Sequence, residues 1–148
     1  MKLLAAIDFE GSTPAVRREA LLWARRLSAE LFLVHVASPD PDFIGGGAGS
    51  EGARLAVAYK NQQARQRLEA YATQMRRDGV DAAAVLVQGP PAEMILQEAD
   101  RLHADAILLG TYARGAANAM RIGSVAKQIL FRAARPVVLV PPHDLAAS

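Results

Sequence analysis

Residues 106–140 read AILLGTYARGAANAMRIGSVAKQILFRAARPVVLV, and the fold follows from how this stretch divides. Ala106 to Leu109 is a short aliphatic run closed by Gly110, which has the length and composition of a buried strand. A glycine-bearing loop of a dozen residues follows. Gly123-Ser124 then opens a helix whose inner side is expected to carry Ala126, Ile129, Leu130 and Ala133. Pro136 leads into a second aliphatic run, Val137 to Val140, which Pro141-Pro142 stops. Strand, helix and strand joined in this way form a crossover unit, whose two strands lie parallel.

The same alternation extends back to the start of the chain. Leu3 to Ile7 reads as a buried strand, and Asp8 to Thr13 as a polar loop. Ser12 or Thr13 can cap a helix that begins at Pro14, with Val16, Ala20, Trp23, Ala24 and Leu27 on one apolar face. Leu31 to Val36 is a second strand. Residues 37–52, with two Pro, two Asp and five Gly, read as a long mobile loop. Ala53 to Arg77 is a helix striped by Val57, Ala64, Leu68, Tyr71, Ala72 and Met75, and Asp78-Gly79 ends it. Ala82 to Val87 is a third strand. Pro90-Pro91 opens a helix that has Glu93 in its first turn and runs to about Leu102.

This order predicts an α/β fold: one open five-stranded parallel sheet with helices on both faces and right-handed crossovers. Residues 1–148 are read as a single domain with a frayed tail over 141–148 and no internal repeat. In such sheets ligands bind beyond the carboxyl ends of the strands, where the strand order reverses. The loops after the first, second and fourth strands are therefore the place to look.

Composition narrows the chemistry. Apolar residues make up 51% of the chain and charged ones 22%, ordinary for a globular domain, while 5% aromatics imply an aliphatic core. The absence of cysteine excludes disulfides, thiolate metal sites and a cysteine nucleophile. No apolar run approaches the roughly 20 residues that span a bilayer, and the apolar start meets Asp8 too soon for a signal peptide. A cytoplasmic protein with no membrane partner is the expectation. The sequence pI of 9.3 reflects a net charge of only +2. The pairs Arg17-Arg18, Arg25-Arg26 and Arg76-Arg77 are scattered among acidic neighbours, so no nucleic-acid partner is expected.

The strongest constellation is Gly110-Thr111-Tyr112-Ala113-Arg114-Gly115 followed by Gly123-Ser124. Glycines between a strand and a helix let main-chain N–H groups converge, and the helix N-terminus adds its dipole, a geometry that suits phosphate. The same residues equally serve as an ordinary turn, and Ser124 can bond a ligand oxygen or cap its own helix. Asp8, at the end of the first strand, can accept from a ribose or base donor or cap the next helix. Gly47 to Gly52 spells GxGxxG but lies outside any tight strand-to-helix turn. Gly110 to Gly115 has the P-loop's first spacing, but Ala116-Ala117 replace its Lys and Ser/Thr. His35, His103 and His143 are separated, so no metal site is expected, and His35 reads as a hydrogen-bonded core residue. Trp23 reads as core, and Tyr112, in the glycine loop, as a surface tyrosine or as a cover for the ligand. HExxH and GxSxG are missing.

The run from Ala104 to Val140 resembles the C-terminal signature of the universal stress protein family. Its nucleotide-binding members carry Gly, two residues, Gly, nine residues, Gly and Ser or Thr. Gly110, Gly123 and Ser124 match, and Ala113 stands at the second glycine. Asp8, His35-Val36 and Gly89-Pro90 also fall where the family has such residues. The resemblance implies the sheet order 3-2-1-4-5 of the adenine nucleotide alpha hydrolase-like fold. It implies ATP or a related adenine nucleotide, with or without Mg²⁺, and a homodimer through Val137–Val140. Asp8 would contact the adenosine part, and the Val36 backbone would read the adenine edge. Gly110, Ala113, Arg114, Gly115, Gly123 and Ser124 would surround ribose and phosphates. A Cβ at Ala113 is costly if the backbone there needs a positive φ, and otherwise narrows the pocket.

The function expected is therefore nucleotide binding in a stress or signalling role, with at most slow ATP hydrolysis and a protein partner of unknown identity. The alternative is a nucleotide-free dimeric interaction module whose site Ala113 has narrowed. A nucleotide-transferring enzyme of a related fold is disfavoured, because its His-x-Gly-His and Ser-Gly-Gly signatures are missing.

Overall fold

The computed structural model describes residues 1–37, 50–114 and 119–142, with the backbone alone at Ser50, Ala113, Arg114, Ala119 and Met120. In chain order the elements are β1 (Lys2–Ala6), α1 (Thr13–Leu27), β2 (Glu30–Ala37), α2 (Ser50–Arg77) and β3 (Ala82–Gln88). They continue with α3 (Pro91–Leu102), β4 (Ala106–Gly110), β5 (Tyr112–Arg114), β6 (Ala119–Arg121), α4 (Ser124–Arg132) and β7 (Val137–Val140).

The main sheet has five strands in the order β3-β2-β1-β4-β7, all parallel. This is the 3-2-1-4-5 order, and the direction of winding reverses between β1 and β4. Side chains alternate across the sheet as the two-residue period of a strand requires. Leu3, Ala5, Leu31, Leu33 and Leu108 pack with Val16, Ala20, Leu68 and Ala72 of α1 and α2. Leu4, Val34, Ile107 and Leu109 pack with Ile95 and Ala99 of α3 and Ala126 and Ile129 of α4. Two aliphatic layers thus sandwich strands buried on both faces, which is why the strands read as unbroken apolar runs.

Four expectations are corrected. The loop after β4 holds a small antiparallel hairpin, with Tyr112 opposite Arg121, Ala113 opposite Met120 and Arg114 opposite Ala119. Leu130 and Leu27 face outward, 40% and 44% exposed. Ile129 already takes the inner position on α4, and its neighbour is rotated about 100° away from it. Leu27 is the last residue of α1, where Ser28 turns into the left-handed region. Trp23 sits at the rim of the core, half-buried, with its indole N–H donating to Glu19 at 3.2 Å. Of the loop expected over 37–52, Ala37 belongs to β2 and Ser50, Glu51 and Gly52 to α2; residues 38–49 lie outside the described residues, as does the tail from 143. Among the described residues no helix is long and apolar enough to cross a membrane.

Candidate functional site

At the carboxyl ends of β1, β2 and β4, where the winding reverses, lies a cavity of about 430 Å³. Its walls come from separate elements: Ile7 and Asp8 after β1, Val34 to Val36 of β2, and Leu109 and Gly110 of β4. Pro91 and Ile95 of α3, Tyr112 of β5, and Gly123 with Ser124 to Ala126 at the start of α4 complete it. The size falls in the range of small-ligand pockets, and the mix of an apolar wall with a few polar groups is typical of them.

Asp8 is held by its own loop. Its Oδ1 accepts from the Glu10 backbone N–H at 2.8 Å and from the Thr13 hydroxyl at 3.0 Å. This closes a turn of the Asx type and ties β1 to the first turn of α1. Its Oδ2 accepts from the Tyr112 hydroxyl at 2.9 Å. Burial and the neighbouring carboxylate push the Tyr112 phenol up to about 12, since ionisation would place a second negative charge against Asp8 and face Glu10 as well. Tyr112 meets both readings of the sequence: it is 38% exposed, and it lines the pocket.

Phe9 follows Asp8 with φ +62°, a left-handed conformation that costs a side-chain-bearing residue about 1–2 kcal/mol. Its ring lies 4.6 Å from that of His35 and 5.9 Å from that of Tyr71, with the Arg67 guanidinium 4.4 Å from its centroid. Contacts of this kind contribute about 0.5–1.5 kcal/mol each, enough to hold the turn that presents Asp8. His35 Nδ1 lies 2.6 Å from the Ile7 carbonyl oxygen. A carbonyl only accepts, so Nδ1 carries the proton. Burial lowers the His35 pKa from its ordinary value, against the opposing pull of this bond and of Asp8. His35 is thus the hydrogen-bonded residue the sequence suggested, and it also lines the pocket beside Val36.

The opposite wall is the N-terminus of α4. Its N-cap is Gly123, at φ −69° and ψ 168°, and no side chain caps the helix. The first N–H groups of a helix lack intrahelical partners, so this end presents donors and a positive dipole to the cavity. The Gly123 backbone is extended, so a left-handed turn is not what excludes a side chain. A Cβ there would come within 3.3 Å of the Tyr112 ring. At Gly110 a Cβ would overlap the Ser12 side chain, so packing of α1 on β4 demands this glycine.

The structure therefore brings Asp8, Val36, Gly110, Gly123 and Ser124 to one cavity. Ala113 and Arg114 lie in β5, next to Tyr112, and Gly115 is outside the described residues. Ala113 is in strand conformation opposite Met120, a backbone alanine adopts freely. Ser12, Pro91 and Ile95 were not expected as pocket residues, and nothing local in the sequence marks them. Tyr112 carried a signal, its place inside the glycine loop, where it could cover a ligand.

A model of the universal stress protein family matches residues 1–141. The chain belongs to the universal stress protein family. A family member from Thermus aquaticus is 33% identical over 136 residues, covering 90% of this chain and 95% of its own. A crystal structure of a universal stress protein family member from Burkholderia pseudomallei superposes with a TM-score of 0.73 at 25% identity, covering 95% of each chain. The universal stress protein of Archaeoglobus fulgidus, solved in complex with dAMP, superposes with a TM-score of 0.64 at 23% identity and covers 95% of this chain and 97% of its own.

Proposed function

We propose that this universal stress protein binds an adenine nucleotide in the cavity between β1, β4 and α4, and acts as a cytoplasmic nucleotide-responsive binding protein rather than an efficient catalyst. One observation carries the reading: a carboxylate, Asp8, faces a helix N-terminus with no side-chain cap across a cavity of about 430 Å³. A nucleoside phosphate has the complementary chemistry. A ribose hydroxyl donates to Asp8, phosphate oxygens accept from the N–H groups of α4 and from Ser124, and the purine lies along Val36 and its apolar neighbours. Ala113, Arg114 and Gly115 follow directly and would complete the phosphate end. The dAMP held by the Archaeoglobus fulgidus relative supports the same ligand class.

Among the described residues no group of three or more His, Asp or Glu is placed to hold a metal ion. A Mg²⁺ ion, with ADP or ATP, would ride on the phosphates. The test is to denature the purified protein and chromatograph the supernatant. Released AMP, ADP or ATP supports the reading; no nucleotide, together with no binding at millimolar ATP, overturns it.

A second reading is a dimeric interaction module without nucleotide, for which β7 offers the surface. It ends the sheet, and Val137, Val138 and Leu139 are only half-buried within one chain. A bare aliphatic edge is a pairing surface. A homodimer through Val137–Val140 fits either reading. Light scattering at micromolar concentration should give twice the chain mass, and Val138→Lys should halve it.

A further inference from the structure

Asp8 and Tyr112 lie 104 residues apart in sequence and meet at the cavity. A carboxylate offers about four acceptor positions, two on each oxygen. On Asp8, Oδ1 already accepts two hydrogen bonds, from the Glu10 N–H and the Thr13 hydroxyl. Oδ2 accepts one, from the Tyr112 hydroxyl. Among the described residues these are its partners, and a single position remains. A ribose with vicinal 2′ and 3′ hydroxyls could donate both to the carboxylate only if the Tyr112 phenol left.

We propose that Tyr112 is a specificity-determining residue of the nucleotide site: by holding one Oδ2 position of Asp8, it limits the carboxylate to one sugar hydroxyl. The site then takes ribo- and 2′-deoxyribonucleotides with similar affinity. This rests on the reading that a nucleotide's ribose meets Asp8. The Tyr112 ring lies beside Gly123, where a Cβ would come within 3.3 Å of it. The Thr13 hydroxyl and Glu10 N–H cannot yield without opening the turn that leads into α1.

The test compares AMP with dAMP by calorimetry on the wild-type protein and Tyr112→Phe, which removes only the hydroxyl. The wild type should bind the two within about twofold. In the variant AMP should tighten by roughly tenfold, the worth of one hydrogen bond to a charged group, while dAMP stays within about twofold. A change in packing alone would move both ligands together. A wild-type preference for AMP of about tenfold, or a variant that shifts both ligands equally or neither, overturns the assignment and leaves nucleotide binding intact. Failure of every pair to bind overturns nucleotide binding and this assignment with it. A second readout needs no nucleotide. The Tyr112 phenol, isolated by ultraviolet difference titration against Tyr112→Phe, should ionise well above an ordinary tyrosine and fall part of the way back in Asp8→Asn, the share due to burial remaining. A phenol that does not respond to Asp8→Asn overturns the assignment.

Discussion

Gly110 packs against Ser12 with no room for a Cβ between them. This contact joins the end of β4 to the N-terminus of α1 and forms one side of the cavity. The signature glycine is thus explained by helix packing before any ligand is considered. Gly110→Ala should destabilise the protein by about 1–3 kcal/mol, the range for overpacking a close-packed site, read as a lower denaturant midpoint at unchanged slope. A variant as stable as wild type would mean that α1 moves freely on the sheet.

Two leucines of α2 should respond in opposite ways. Leu68 is 1% exposed against the sheet, whereas Leu55 is 69% exposed in the N-terminal half of the same helix. Leu68→Ala should cost about 2–5 kcal/mol, and Leu55→Gln less than about 0.5 kcal/mol. Chemical denaturation of the two variants checks the pair. A large loss from Leu55→Gln would show that the N-terminal half of α2 is covered.

His35 should give stability a pH dependence of defined sign. Burial lowers its folded-state pKa, so between that value and the ordinary 6.5 the unfolded chain binds more protons. Its contribution is therefore complete above about pH 6.5 and declines as pH falls toward the folded value. His35→Asn, which keeps a donor for the Ile7 carbonyl, should flatten the decline in melting temperature across this window. A slope that is unchanged in the variant would assign the effect to other groups.

The parallel sheet was legible because strands covered by helices on both faces leave short, mainly apolar runs: Leu3 to Ile7, Leu31 to Val36, Ala106 to Leu109 and Val137 to Val140 each coincide with a strand to within a residue or two at the ends. Asp8, Gly110 and Gly123 were legible as strand-end and helix-start residues. The hairpin of β5 and β6 was not, since three-residue strands carry no usable period. The Tyr112–Asp8 bond was hidden because nothing local marks a contact that spans 104 residues. Phe9 gave no sign either. Its left-handed backbone is imposed by ring packing on His35 and Tyr71, a tertiary effect that residue preference opposes.

The central claim is that the cavity between Asp8 and the N-terminus of α4 holds an adenine nucleotide. Calorimetric titration of AMP and ATP into the wild-type protein and Asp8→Ala tests it most directly. One site per chain, with affinity at least about tenfold weaker in Asp8→Ala, is the predicted result. No heat at millimolar nucleotide, or equal affinity in both proteins, would contradict it.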